Sequence, residues 1–348
     1  MKALQWLLFP LSALYGYMMK VRNKQFDEGR RPVVDFEPVI ISVGNLSVGG
    51  TGKTPMIEYL IRFLMNDFKL ATISRGYGRK TKGFRLAKLE DTARTLGDEP
   101  LQFYRKFGDQ IHVTVCEERI LAVPNLLHEH EDTELFLLDD AYQHRKIGRD
   151  LNILLTDFAK PFYEDFVVPT GRLREERKGA GRADLVIVTK CPVDLSTANK
   201  EEMTRKVREY NGEVPVFFSF IHYDAPQRVF GNEELSKQVS LITGLANSSA
   251  FISAVEQDYE VLRHFDFGDH YAFRKADLDK IERELLKNVE KPVLLTTEKD
   301  MVRLLSFQEH SLFQKAALYY IPIRFELDRP KEFETLVLKV IDKKKKEV

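Results

Sequence analysis

Cysteine is nearly absent: the 348 residues hold only Cys116 and Cys191, which excludes a disulfide framework. Neither lies in a Cys-x-x-Cys pair or beside paired histidines, so no structural zinc is expected and the compartment reads as reducing. Net charge is missing too. The 53 Lys and Arg balance the 53 Asp and Glu, which gives no case for a nucleic-acid partner. Low complexity is confined to the lysine run 343–346, read as a solvated helix end. A long membrane-spanning run is also lacking. Residues 3–19 carry no charge, but Gln5, Pro10 and Ser12 interrupt them, and Lys20, Arg22, Lys24, Arg30 and Arg31 follow. Without a small-residue cleavage site they do not read as a signal peptide. They read as a helix lying in the membrane interface, with Trp6 and the tyrosines at headgroup level and the basic flank on anionic lipid; a helix packed on the protein is the alternative.

What is present is ordinary for a soluble globular protein, 43% apolar and 30% charged, and the length suggests two domains. The informative stretch is an apolar strand from Val39 running into Gly44-Asn45-Leu46-Ser47-Val48-Gly49-Gly50-Thr51-Gly52-Lys53-Thr54-Pro55 and then an amphipathic segment. Strand, Gly-rich loop, Gly-Lys-Thr and helix together read as a phosphate cradle; a chance Gly-Lys-Thr in a surface turn is the alternative. Gly49, Gly50, Thr51 and Gly52 turn backbone N–H groups inward, Lys53 reaches the outer phosphates, and the Thr54 hydroxyl can hold Mg²⁺. The strict pattern has Gly where this chain has Ser47, so the loop is a variant.

Further apolar runs at 69–74, 111–115, 134–139, 151–157 and 184–190 alternate with helical or loop stretches, which predicts an α/β fold: a P-loop NTPase-like, mostly parallel sheet with helices on both faces. A turn at Asn211-Gly212 and an extended run at 214–223 lead to a second series at 239–246, 291–297 and 317–325. The expected organisation is an N-terminal interface helix and basic flank over 1–34, a P-loop core over 35–212, and a smaller α/β domain over 213–348 that opens with hinge strands.

Ligands of such sheets collect at the carboxyl ends of the strands. The 134–139 run ends in Asp139-Asp140, the paired carboxylates with which such a strand positions Mg²⁺, or else a strand-to-loop cap. Gly97-Asp98-Glu99-Pro100 offers a carboxylate that could take a proton from an acceptor hydroxyl, and it reads equally as a helix start with Asp98 as cap. Two basic loops, 75–79 and 171–178, could grip phosphate, although basic loops are commonly just solvated. His270, in Phe267-Gly268-Asp269-His270-Tyr271, reads on its own as a surface histidine.

Taken in order, these segments resemble one family, the tetraacyldisaccharide 4'-kinases of lipid A assembly. The resemblance rests on Val43 to Pro55, Ser74-Arg75-Gly76-Tyr77-Gly78, Gly97 to Pro100, Asp139-Asp140 with Gln143-His144-Arg145, residues 171–175, Asp269-His270 and Thr297-Glu298-Lys299-Asp300. It implies transfer of the ATP γ-phosphoryl group to the 4'-hydroxyl of a lipid disaccharide 1-phosphate, giving lipid IVA, by a peripheral enzyme on the cytoplasmic face of the bacterial inner membrane. It further implies that the P-loop, with Thr297, serves ATP. Thr54, Asp139 and Glu175 would serve Mg²⁺ directly or through water, with Asp140 in the catalytic acidic pair. Asp98 would accept the hydroxyl proton with His270 as its partner, and closure of the second domain would bring them together. Arg75, Tyr77, Glu99, Arg119 and Arg174 would meet the substrate or the transition-state charge. The chain departs from the common family form at Arg172 and Glu176, where Pro is frequent.

Two other readings compete. A P-loop GTPase or metallochaperone switch needs a base-reading Asn/Thr-Lys-x-Asp, which Thr189-Lys190-Cys191-Pro192 lacks and Thr297-Glu298-Lys299-Asp300 has in the wrong order. A regulatory membrane-associated nucleotide binder would not need Asp98 or His270.

Overall fold

The structure is a computed structural model that describes residues 3–269, 271–287 and 291–347, with side chains from residue 8 onward. The chain opens with helix α1 (Ala3–Asp27), then β1 (Val39–Asn45), α2 (Lys53–Leu64), β2 (Leu70–Ser74), a short β3 (Arg85–Leu86) and α3 (Ala93–Leu96). It continues through α4 (Asp98–Phe107), β4 (His112–Val115), α5 (Arg119–Glu129), β5 (Leu135–Asp139), β6 (Leu151–Asp157), β7 (Leu185–Thr189), α6 (Thr197–Asn211) and β8 (Val216–Tyr223). A second series follows: β9 (Gln227–Phe230), β10 (Gln238–Thr243), α7 (Ser249–Val255), β11 (Glu260–Asp266), α8 (Lys275–Leu285), β12 (Val293–Thr297), α9 (Glu298–Leu304), α10 (Leu312–Lys315) and β13 (Ala317–Ile321). The chain closes with β14 (Ile323–Leu327) and α11 (Pro330–Glu347).

Among the described residues the strands form two sheets, one of nine strands in the order β14-β8-β7-β6-β1-β5-β2-β4-β3 and one of five in the order β11-β10-β12-β13-β9. Every pairing in the large sheet is parallel except β14–β8 and β3–β4. All residues of β1, β2, β5 and β7 are buried, as expected for strands covered on both faces. The chain lays β2, β4 and β5 on one side of β1 and β6, β7 and β8 on the other. This reversal leaves a crevice beyond the carboxyl end of β1, where α/β sheets bind ligands.

The sheets divide the chain differently from the expected split at 212. Strand β8 belongs to the large sheet, and so does β14, which pairs with it from the far end of the chain. The apolar run 317–325 is two strands: Pro322 separates β13, in the small sheet, from β14, in the large one. A proline fixes φ and lacks an N–H, so the ladder breaks there. Helix α11 then buries Phe333, Val337 and Ile341 in the same apolar cluster as Met56, Ile57 and Leu60 of the P-loop helix α2.

Helix α1 lies on the large-sheet unit by one face only. Ser12 Oγ donates to Thr170 Oγ1 (2.6 Å), Asn23 Nδ2 donates to Glu175 Oε2 (2.6 Å), and Phe26 is buried. Leu11, Leu14, Tyr17 and Met18, on its other face, are more than half exposed. Among the described residues no helix is long and apolar enough to cross a membrane.

Candidate active site

Register builds the site. Val43 of β1 pairs with Asp139 of β5, so the phosphate loop leaves its strand beside the acidic pair. Gly44 lacks a Cβ for a reason: one placed there would lie 2.7 Å from the Tyr142 backbone N and Cβ, just past that pair. Gly49 and Gly52 take positive φ (105° and 79°), the conformation that only glycine adopts freely, and Gly52 caps α2. The loop is clamped from outside by Thr189 Oγ1, which donates to Thr51 O (2.9 Å), by Lys190 Nζ on Gly50 O, and by Val48 N donating to Arg172 O (2.7 Å). Thr51 Oγ1 is buried and has no hydrogen-bond partner among the described residues.

Lys53 points back toward the acidic pair, its Nζ 3.7 Å from Asp140 Oδ1. Arg174 grips Asp140 with two bonds, Nη1 to Oδ1 (2.9 Å) and Nη2 to Oδ2 (3.0 Å). Burial pushes the Asp140 carboxyl up, but Lys53 and Arg174 outweigh it and hold the group below its ordinary range. Asp139 goes the other way. It is 5% exposed, accepts from Ser74 Oγ (3.2 Å), and burial, with Glu99 and Asp140 close by, raises it to about 7. A buried carboxylate pushed up by burial and two neighbouring carboxylates is a site short of positive charge. Together with the half-buried Thr54 at the start of α2, it is a donor set that fits a hard divalent cation carrying phosphate oxygens. Among the described residues no group of three or more His, Cys, Asp or Glu could by itself hold a metal ion.

Arg75 and Tyr77 are exposed on a loop that packs tightly against the start of α4. A Cβ on Gly76 would meet Leu96 O at 2.6 Å, and one on Gly97 would meet Tyr77 O at 3.0 Å. Gly97 caps α4, so Asp98 and Glu99 open its first turn. Asp98 Oδ2 accepts two bonds from Arg303, at 2.8 Å from Nε and 2.6 Å from Nη2. Arg303 belongs to α9, on the small sheet, and sequence reasoning gave it no role. His270 lies outside the described residues, as does the side chain of Trp6. Asp269, next to His270, pairs with Lys299 Nζ (3.3 Å).

Three expected site residues have other engagements. Arg119 is 2% exposed beneath the acidic pair, donating from Nη2 to Asp139 O (3.3 Å), and burial lowers it to about 10. Glu175 is 1% exposed; Oε1 accepts from Arg182 (2.8 Å) and Gln143 (3.0 Å), and Oε2 accepts from Asn23 of α1. Thr297 caps α9, accepting from Asp300 N (3.2 Å) and donating to Asp300 Oδ2 (2.7 Å). Ser74, Gln143 and His144 were legible as part of motifs but carried no assigned role. His144 is kept neutral, its pKa lowered to about 3 by burial and then by Arg119.

The family model for tetraacyldisaccharide-1-P 4'-kinase matches residues 4–342. A tetraacyldisaccharide 4'-kinase of Flavobacterium johnsoniae is 40% identical over 349 residues, covering 98% of each chain. One of Bacteroides fragilis strain YCH46 is 40% identical over 333 residues, covering 92% of this chain and 88% of the other. The crystal structure of the "apo" form of LpxK from Aquifex aeolicus in complex with ATP superposes with a TM-score of 0.76 at 28% identity, covering 97% of this chain and 99% of that one. With a phosphate loop, an acidic pair and a helix-start carboxylate set around one crevice, the chain belongs to the tetraacyldisaccharide-1-P 4'-kinase family.

Proposed function

We propose that phosphoryl transfer takes place in the crevice beyond β1, β5 and β2, with Asp98 as the base. The enzyme is an ATP-dependent tetraacyldisaccharide 4'-kinase of lipid A biosynthesis, whose reaction gives lipid IVA. Such transfer needs positioning and charge neutralisation more than covalent chemistry. Gly49 to Gly52 cradle the phosphates and Lys53 neutralises the β and γ groups. Thr54 and Asp139 would hold Mg²⁺, which when bound draws charge from the phosphate oxygens. Asp140, fixed by Arg174, keeps Lys53 directed into the crevice. Arg75, Tyr77 and Glu99, at the mouth, meet the lipid's sugar and phosphate. Arg119 acts from below, through the backbone of Asp139. Thr297 acts at a distance by capping α9, and His270 remains the expected partner of Asp98. Glu175 is better placed to tie α1 to the site than to touch the cation, because both its oxygens are engaged. The lipid disaccharide 1-phosphate comes from the cytoplasmic face of the inner membrane, on which the exposed face of α1 rests.

The observation that carries this reading is the meeting of Lys53 with Asp140 beside a buried Asp139. The test is transfer of labelled γ-phosphate from ATP to detergent-dispersed disaccharide 1-phosphate. Asp98→Asn should lower kcat by about 10²–10⁴ with ATP still bound. Full turnover by that variant would remove Asp98 as the base.

A further inference from the structure

Helix α9 of the small sheet lies against α4 of the large one, and two ion pairs join them. Asp98, the first residue of α4, meets Arg303 near the end of α9; Lys106, near the end of α4, meets Glu298, the first residue of α9. The helices therefore run antiparallel, and each charge sits at the helix end whose dipole favours it. Lys106 also reaches Glu58 of α2, at 2.9 and 2.7 Å, so the contact extends to the P-loop helix.

Arg303 is only 7% exposed, and its own unit holds it before it reaches Asp98. Its Nη1 donates to Asp300 Oδ1 (2.8 Å) and Gly244 O (3.3 Å). Asp300 is fully buried and accepts at Oδ2 from Gly244 N (2.9 Å) and Thr297 Oγ1 (2.7 Å). Position 244 has to be small, since a Cβ there would lie 2.8 Å from Asp300 Oδ1 and 3.2 Å from Arg303 Nη1. The planar guanidinium thus presents Nε and Nη2 in a fixed direction, and both bond one oxygen of Asp98.

We propose that Arg303 is a positioning residue for phosphoryl transfer: by holding Asp98 Oδ2 it sets the direction in which the carboxylate meets the acceptor hydroxyl. This rests on Asp98 being the base. As the hydroxyl proton passes to the Asp98 carboxylate, the hydroxyl oxygen bonds to the γ-phosphorus, and the bond from phosphorus to the β–γ bridging oxygen breaks with its electron pair leaving on ADP. The guanidinium takes no proton itself, so what Arg303 contributes is orientation. The base is then set only while α9 is seated on α4, which makes the small sheet part of the chemical step.

The experiment uses the full chain and labelled ATP with the dispersed lipid acceptor, comparing Arg303→Gln, Arg303→Lys, Asp98→Asn and the double variant R303Q/D98N, each with a thermal melt. Arg303→Gln is expected to lower kcat by about 10–100-fold, the usual range for groups that orient a reacting one, with the KM for ATP unchanged. Arg303→Lys should recover part of the loss, and R303Q should cost nothing further in the D98N background. If Arg303→Gln melts early, Asp300→Asn supplies the second variant. It loosens the guanidinium while leaving the interhelix pair, and should lower kcat by a smaller factor. An inactive D98N with an R303Q of unchanged or raised kcat would overturn the positioning role and leave the base standing. Equal further loss from R303Q in the D98N background would make Arg303 merely structural. An active D98N would overturn the base, and this proposal with it.

Discussion

Asp139 sets how the site responds to pH. Unfolded, its carboxyl titrates near the ordinary 3.8; folded, burial and then Glu99 and Asp140 raise it to about 7. Between those values the folded chain keeps a proton that the unfolded chain has lost, so stability falls as pH rises through the window. Asp139→Asn removes that penalty. Without nucleotide, the variant should melt higher than the parent at about pH 8, with the gap narrowing as pH falls and closing near the unfolded value of 3.8, while losing phosphoryl transfer. A melting difference that stays flat with pH would show that Asp139 is not the titrating group. The proton also competes with the cation, so Mg²⁺-dependent ATP binding should tighten from about pH 6 to about pH 8 in the parent and not in Asp139→Asn. At this scale Lys53 and Asp98 were legible as candidates because each stands where a loop opens onto a helix, and Asp139 because it ends a buried strand. The sequence did not show Arg303, whose partner lies 205 positions away and whose only local sign is the spacing to Asp300.

Elements were legible to the degree that their burial pattern was one-sided or complete. The buried parallel strands read as continuous apolar runs, whereas β9 and β11 do not. Most residues of β9 and β11 are exposed or half-buried, and these edge strands alternate with charge. The strand β1 carries a sharp prediction. Gly44→Ala forces a Cβ to within 2.7 Å of Tyr142, and the strain falls where β1 hands over to the phosphate loop. It should cost about 1–3 kcal/mol in urea unfolding and weaken ATP binding. Wild-type stability and ATP affinity together would show that the Tyr142 segment yields at no cost. Helix α1 carries another. Leu11 and Leu14 are 56% and 59% exposed on the face turned away from Ser12 and Phe26. The double change Leu11→Glu and Leu14→Glu should leave the melt unchanged and abolish sedimentation with anionic vesicles, because the apolar face that enters the interface is lost. Retained sedimentation would send the membrane contact elsewhere.

Across the whole molecule the chain crosses between sheets twice, after Tyr223 and at Pro322, so its two units interleave. Pro322 is the one local mark of the return; that the strands on its two sides join different sheets shows only in the ladder partners of β13 and β14. The return has an energetic consequence for the active site. Phe333 of α11 is fully buried, with its ring 5.5 Å from Phe217 of β8 and 5.9 Å from Tyr59 of α2, and the Tyr59 hydroxyl donates to Glu334 (2.8 Å). The last helix therefore backs the helix that begins at Lys53. Phe333→Ala should cost about 3–5 kcal/mol and, under conditions where the parent is folded, should lose ATP binding and the first unfolding transition together. If 213–348 were an independent domain, the same change would melt that part alone and leave nucleotide binding intact. Differential scanning calorimetry with and without ATP separates the two: loss of the ATP-dependent transition follows from the interleaved arrangement, and its survival would restore the boundary at 212.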